Sequence, residues 1–129
     1  MHFFYYKNLL LFSFLLFLVS CANEEKDQFE GNWEAFEYTV NGMNELESQS
    51  VFLYLEENGK FLQVFDMGQS KREEPGIWGM DTGKKIFTLT YDKTGQTVTW
   101  DIVEFESDEM HLTNSETQGF FIQLKIRRN

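Results

Sequence analysis

The side chains able to carry chemistry are few, and their spacing decides against most of it. Beyond residue 20 the chain has one histidine, His111, and one cysteine, Cys21, so no zinc, copper or haem ligand set can be assembled at the usual spacings. A serine nucleophile would need His111 as its base, yet Ser107 and Ser115 stand in loop-like sequence, without the strained turn that presents a nucleophile. Carboxylates pair up at Glu56-Glu57, Glu73-Glu74 and Asp108-Glu109, whereas glycoside hydrolysis wants two of them facing each other across a cleft. Adjacent strand residues point to opposite faces, and each pair adjoins a turn, so solvated turns explain them. Asp81-Thr82-Gly83 and Asp92-Lys93-Thr94-Gly95 look like fragments of calcium loops, but no acid-rich repeat follows and hairpin turns account for both. The glycines are scattered and cradle no phosphate. The expectation is a non-enzymatic protein with no metal and no cofactor. His111, with Met110 and Leu112 on the opposite face, reads as a solvent-facing or satisfied strand histidine.

The elements that would position any site have a period of two. Phe120, Ile122, Leu124 and Ile126 alternate with Gln123, Lys125 and Arg127; Val98, Trp100 and Ile102 alternate with Thr97, Thr99 and Asp101; Phe87, Leu89 and Tyr91 alternate with Thr88 and Thr90. These are half-buried strands, expected to turn Val98, Trp100, Ile102, Phe120, Ile122 and Leu124 inward. Asn41-Gly42, Asn58-Gly59, Asp81-Thr82-Gly83 and Asp92-Lys93-Thr94-Gly95 supply Gly or Asn where hairpins need positive φ. About eight strands follow, near 33–40, 51–56, 60–66, 76–80, 85–92, 97–105, 109–113 and 120–127: an all-β antiparallel meander closing into a small barrel. In the first strand Trp33 and Ala35 face opposite to Phe36, Tyr38 and Val40 unless a bulge intervenes. The second and third strands are apolar on both faces through Phe52, Tyr54, Leu62 and Val64, so something covers their outer side. The segment 43–50 admits a short helix, and 68–74 reads as the longest mobile loop and the rim of a site.

The first twenty residues differ from the rest. Lys7 precedes an apolar run from Leu9 to Val19 that holds no acid, which is the grammar of an export signal. The run is too short to span a hydrocarbon layer that needs roughly 20 residues, although an uncleaved anchor extended through Phe3 to Tyr6 is the alternative. Without this segment the chain carries 10 basic and 21 acidic side chains, a net charge of −11 that excludes nucleic acid as a partner. Such acidity serves solubility and repulsion between neighbouring molecules. Cys21 has no second cysteine to pair with, so the exported domain must be stable without a disulfide.

Leu18-Val19-Ser20-Cys21 resembles the lipobox of bacterial lipoproteins: an aliphatic residue, two small-to-medium residues, then the cysteine. The resemblance implies cleavage after Ser20 and acylation of Cys21, with a diacylglyceryl group on the thiol and a palmitate-type chain on the new amine. Two or more chains hold a protein to a bilayer durably where one does not. A free thiol beside an ordinary signal is the competing reading. The domains are then 1–20 signal peptide, 21–28 lipidated cysteine and polar tether, and 29–129 barrel, displayed at the outer membrane or cell surface.

Gly31-Asn32-Trp33 opens the first strand, Glu57-Asn58-Gly59-Lys60-Phe61 forms a later hairpin, and Gly76-Ile77-Trp78 lies in a middle strand. This pattern resembles the small lipocalin-like domains of bacterial lipoproteins. In that family the first-strand tryptophan closes the barrel floor and an arginine after the last strand packs on it. The resemblance gives these roles to Trp33 and to Arg128, preferred over Arg127 because it shares the face of Ile126; Gly31 admits a tight entry into the strand. Full lipocalins are longer, which puts a deep pocket in question. Two functions are carried forward. One is binding of a small apolar or amphipathic ligand, with Trp78, Phe87, Tyr91, Trp100 and Phe120 as lining, although core packing explains these five equally. The other is an interaction module with a filled barrel that docks an envelope protein.

Overall fold

Alternating sequence from Gly31 onward becomes a single antiparallel meander in the computed structural model, which describes residues 28–115 and 119–129. Its strands are β1 (Gly31–Val40), β2 (Met43–Asn44), β3 (Ser50–Leu55), β4 (Lys60–Asp66), β5 (Lys71–Asp81), β6 (Ile86–Tyr91), β7 (Thr97–Glu106), β8 (Glu109–Asn114) and β9 (Ile122–Arg128). Each long strand pairs with its successor, and β1 pairs with both β3 and β9, so eight strands close a barrel while β2 only extends the end of β1. The fold is the small lipocalin-like barrel expected from the sequence. Closure leaves no free edge along these eight strands.

The first-strand conflict is resolved by a bulge. Ala35 pairs with Ile126 and Glu37 with Lys125, so Phe36 is the extra residue and points outward, under the guanidinium of Arg127 at 5.3 Å. Trp33 and Ala35 below it and Tyr38 and Val40 above it then share the inner face. A second bulge in β7 does the same: Ile102 pairs with Leu112 and Glu104 with His111, which ejects Val103 and returns Phe105 to the interior.

Four expectations are corrected. The segment 43–50 holds β2 and turns, and no helix occurs among the described residues; a lone apolar Leu46 gives a helix no face to bury. The loop expected at 68–74 shrinks to a turn around Gly68 (φ 86°), and β5 already begins at Lys71, because Lys71 to Gly76 complete the ladder with Asp66 to Phe61. In the β5–β6 hairpin the left-handed residue is Lys85 (φ 55°) rather than Gly83. Phe120 is 50 % exposed and lies outside β9, which starts only at Ile122; Asn41, at the end of β1, holds that segment by binding Gly119 and Phe121.

Trp33, Phe87, Leu89, Met110, Leu112 and Ile126 are fully buried inside the barrel. Each such side chain contributes roughly 1.5–3 kcal/mol by leaving water, which is how a disulfide-free domain of this size holds together. At one end of the barrel, its sealed end, the entering chain crosses the floor, where Phe29 packs on Phe105 with ring centroids 4.3 Å apart. At the opposite end, the mouth, β1, β4, β6 and β8 finish and β3, β5, β7 and β9 begin.

Candidate functional site: the barrel floor and mouth

The floor is built by two Gly-x-Trp segments used in the same way. Residues two apart share a face, so Gly31 and Trp33 both turn inward, as do Gly76 and Trp78. Each indole then donates to a carbonyl at the sealed end: Trp33 Nε1 to Phe29 O and Trp78 Nε1 to Glu56 O, both at 2.9 Å. Arg128 lies over the Trp33 ring at 4.3 Å, while Arg127 is on the outer face. The Arg128 guanidinium also donates to Glu30 O at 2.5 Å, to Ser107 O at 2.7 Å and to Gln28 O, tying the entering chain, the β7–β8 turn and the last strand together. Gly31 has φ 129°, and a Cβ there would lie 2.7 Å from Arg128 Nη1; only glycine suits both constraints.

Of the five residues expected to line a pocket, the buried core brings Trp78, Phe87 and Trp100 together: Phe87 is the cross-strand partner of Trp100 and its ring lies 6.3 Å from that of Trp78. Tyr91 packs against this core nearer the mouth, and Phe120 is outside the barrel. What converges at the mouth is polar. Gln63 lies in phase with Phe61 and Phe65 on the inner face of β4, and Arg72 and Glu74 lie in phase with Gly76 and Trp78 on β5. The Tyr91 hydroxyl donates to Gln63 Oε1 at 2.7 Å. Gln63 is buried. The Arg72 guanidinium sits 4.3 Å over the Phe65 ring and 3.7 Å from Glu74, which also has Lys93 at 4.0 Å. Tyr38 completes the group. Deeper on the inner side, Trp100 is 6 % exposed and its Nε1 has no hydrogen-bond partner. A buried donor left unmatched is costly, which distinguishes Trp100 from the two satisfied indoles of the floor.

Burial pushes the Tyr91 phenol up to about 12, with Tyr38 and Glu74 adding to the rise and Arg72 opposing it. Tyr38 is also raised, first by burial and then by Glu45. A phenol whose folded pKa lies above its unfolded value of 10.0 stabilises the fold fully below that value and loses the contribution as pH rises through the folded pKa. The expected result is that Tyr91 ionises well above the ordinary phenol value and that stability falls between pH 10 and about 12. Phenolate absorbance recorded alongside a fold probe checks it, and Tyr91→Phe should flatten that fall.

On the outside, β7, β8, β9 and β1 carry the cross-strand rows Glu104, His111, Lys125, Glu37 and Glu106, Glu109, Arg127, Glu34. Lys125 pairs with Glu37 at 3.2 Å. His111 is on this outer face, as its strand phase implies, but it is half-buried and its Nε2 is unpartnered. Among the described residues no group of three or more His, Cys, Asp or Glu side chains is arranged to hold a metal ion. Cys21 lies outside the described residues. No protein-family model matches the chain, and no curated protein sequence matches it.

Proposed function

We propose that this protein is a lipid-anchored lipoprotein of the outer membrane or cell surface whose barrel mouth takes an amphipathic ligand with an acceptor-bearing head. The anchor is the acylated Cys21, and the barrel does no catalysis. The observation that carries the binding reading is the buried Trp100 indole, whose Nε1 has no hydrogen-bond partner, together with the exposed Arg72 guanidinium over the Phe65 ring and the Gln63–Tyr91 pair on the inner side. A carboxylate or carbonyl head satisfies such donors, and its apolar remainder suits Phe65, Tyr38 and Tyr91. Because the barrel interior is filled by its own side chains, the site is shallow, and small single-chain amphiphiles fit it better than bulky ones.

Two measurements test this. Metabolic labelling with a fatty acid should mark the wild-type protein and not Cys21→Ala, which then stays unprocessed or soluble; label retained in the variant removes Cys21 as acceptor. Tryptophan fluorescence titrated with dodecanoate should change saturably, and Arg72→Ala should weaken the binding about tenfold, or about 1.4 kcal/mol. A flat response across fatty acids and neutral monoacylglycerols contradicts the mouth site.

A further inference from the structure

Both bulges fall at the same level of the outer wall. The one in β1 ejects Phe36 beside Lys125, the one in β7 ejects Val103 beside His111, and His111 and Lys125 are cross-strand partners. Val103, His111, Lys125 and Phe36 therefore follow one another across β7, β8, β9 and β1. The two apolar residues stand at the ends of this line, 56 % and 37 % exposed. A bulge re-aims a side chain at the expense of the ladder, and here a pair of them sets apolar lips on either side of one imidazole.

Between the lips the wall is acidic and unmatched. A cleft of about 160 Å³ is lined by Phe36, Glu104, Glu106, Glu109, His111 and Lys125. Lys125 is engaged by Glu37 at 3.2 Å and Arg127 lies over Phe36, while Glu104, Glu106 and Glu109 enter no salt bridge among the described residues. Glu106 and Glu109 directly oppose each other across the hairpin, a like-charge pairing that lowers stability. His111 Nε2 is buried without a partner, and it accepts a hydrogen bond when the ring carries its proton on Nδ1. A cation with several N–H donors relieves both defects. Beside an aromatic ring a guanidinium, planar and weakly hydrated, does so better than an ammonium.

The spacing of the lips says what carries the guanidinium. Neighbouring strands are about 4.8 Å apart, so the three intervals from β7 to β1 separate Val103 from Phe36 by roughly 14 Å. An extended chain covers that distance in about four residues, and alternate residues share its face. A segment with arginine in the middle and an apolar side chain two places to either side matches cleft and lips together, whereas a free small cation reaches only the cleft. Gln28 borders the same wall beside Glu104 and Glu106, but the residues ahead of it do not supply the cation, since Glu24, Glu25 and Asp27 outnumber Lys26. A second copy does not supply it either. None of Arg72, Arg127 and Arg128 is flanked in this way, and two such acidic domains repel each other.

We propose that the outer wall of β7, β8, β9 and β1 docks an extended, cationic segment of another protein, its arginine in the cleft among Glu104, Glu106 and Glu109 and its apolar side chains on Phe36 and Val103. The site is separate from the mouth and depends neither on a ligand there nor on the anchor. Opposite charge steers the encounter, so the contact weakens as ionic strength rises.

The test adds a heptapeptide with arginine at its centre, leucine two places to either side and serine elsewhere to the full-length chain purified in non-ionic detergent. Binding is followed through the imidazole resonances of His111. The expected result is a saturable shift of His111 while the Trp100 indole stays still, with affinity falling about tenfold when citrulline replaces the arginine, which keeps the shape and removes the charge. Glu106→Gln and Phe36→Ser should each weaken binding severalfold, and Glu57→Gln, an exposed acid in the β3–β4 turn, should leave it unchanged. No saturable shift overturns the proposal, as does an equal loss in Glu57→Gln, which would mean attraction by net charge alone. Agmatine binding as tightly as the peptide would identify a small-molecule cation site and overturn the docking of a chain. A shift confined to Trp100 would place the peptide in the mouth and overturn it likewise.

Discussion

Trp33→Ala is expected to cost about 3–5 kcal/mol of stability, as truncation of a fully buried large aromatic does. Trp33 has no exposed surface, its indole holds the entering chain by Phe29 O, and its ring supports Arg128. The truncation opens a cavity at the point where β1, β3 and β9 meet, and it leaves Phe29 O without its donor and the guanidinium without the ring beneath it. Arg128→Ala should cost less, about 1–3 kcal/mol, because its bonds to carbonyls are charge-assisted but partly exposed. Denaturant melts of both variants check the order. A Trp33→Ala protein as stable as the parent would mean that the floor does not close the barrel.

Gly76→Ala is the other large effect. A Cβ at Gly76 would lie 2.0 Å from Thr90 O, a backbone atom that cannot move without its strand, and 2.5 Å from the Phe61 ring. The absent side chain is what lets Phe61 and Tyr91 meet edge to face over β5, with centroids 5.4 Å apart. Overpacking costs about 1–3 kcal/mol where side chains can yield; here backbone must yield, so the loss should reach or exceed that upper end. The same melts measure it. Gly79→Ala serves as the contrast, since its nearest atom is the Thr88 hydroxyl at 2.9 Å, which can rotate away, and the loss should be smaller.

Alternation made most of the barrel legible. Phe87, Leu89, Trp100, Leu124 and Ile126 are inward because a period of two leaves no other choice once one face is buried. Asn41 and Gly42, with φ of 50° and 82°, show why an Asn-Gly pair marks a hairpin so plainly. The bulges were legible only as a contradiction: in β1 the phase breaks between Ala35 and Tyr38, and a single extra residue, Phe36, repairs it. Phe120 went astray because its sequence phase continues that of β9 although the ladder stops at Ile122; periodicity does not say where pairing ends.

The mouth was missed for a chemical reason. Attention to aromatic residues as pocket lining picked Trp78 and Phe87, which the floor and core consume. The polar residues sharing the inner phase, Gln63 between Phe61 and Phe65, and Arg72 and Glu74 ahead of Gly76 and Trp78, carried the signal. A polar side chain in the buried phase of a strand costs energy unless it is matched, so it points to the interior more sharply than another phenylalanine.

The most direct test of a mouth that binds acceptor-headed amphiphiles is to follow the three indole N–H resonances while dodecanoate is added. Trp33 and Trp78 donate to carbonyls of the floor, whereas Trp100 Nε1 has no partner. The Trp100 resonance should move downfield and gain protection from solvent exchange, while the other two stay where they are. Three unmoved resonances, or a shift confined to Trp33 and Trp78, would contradict it.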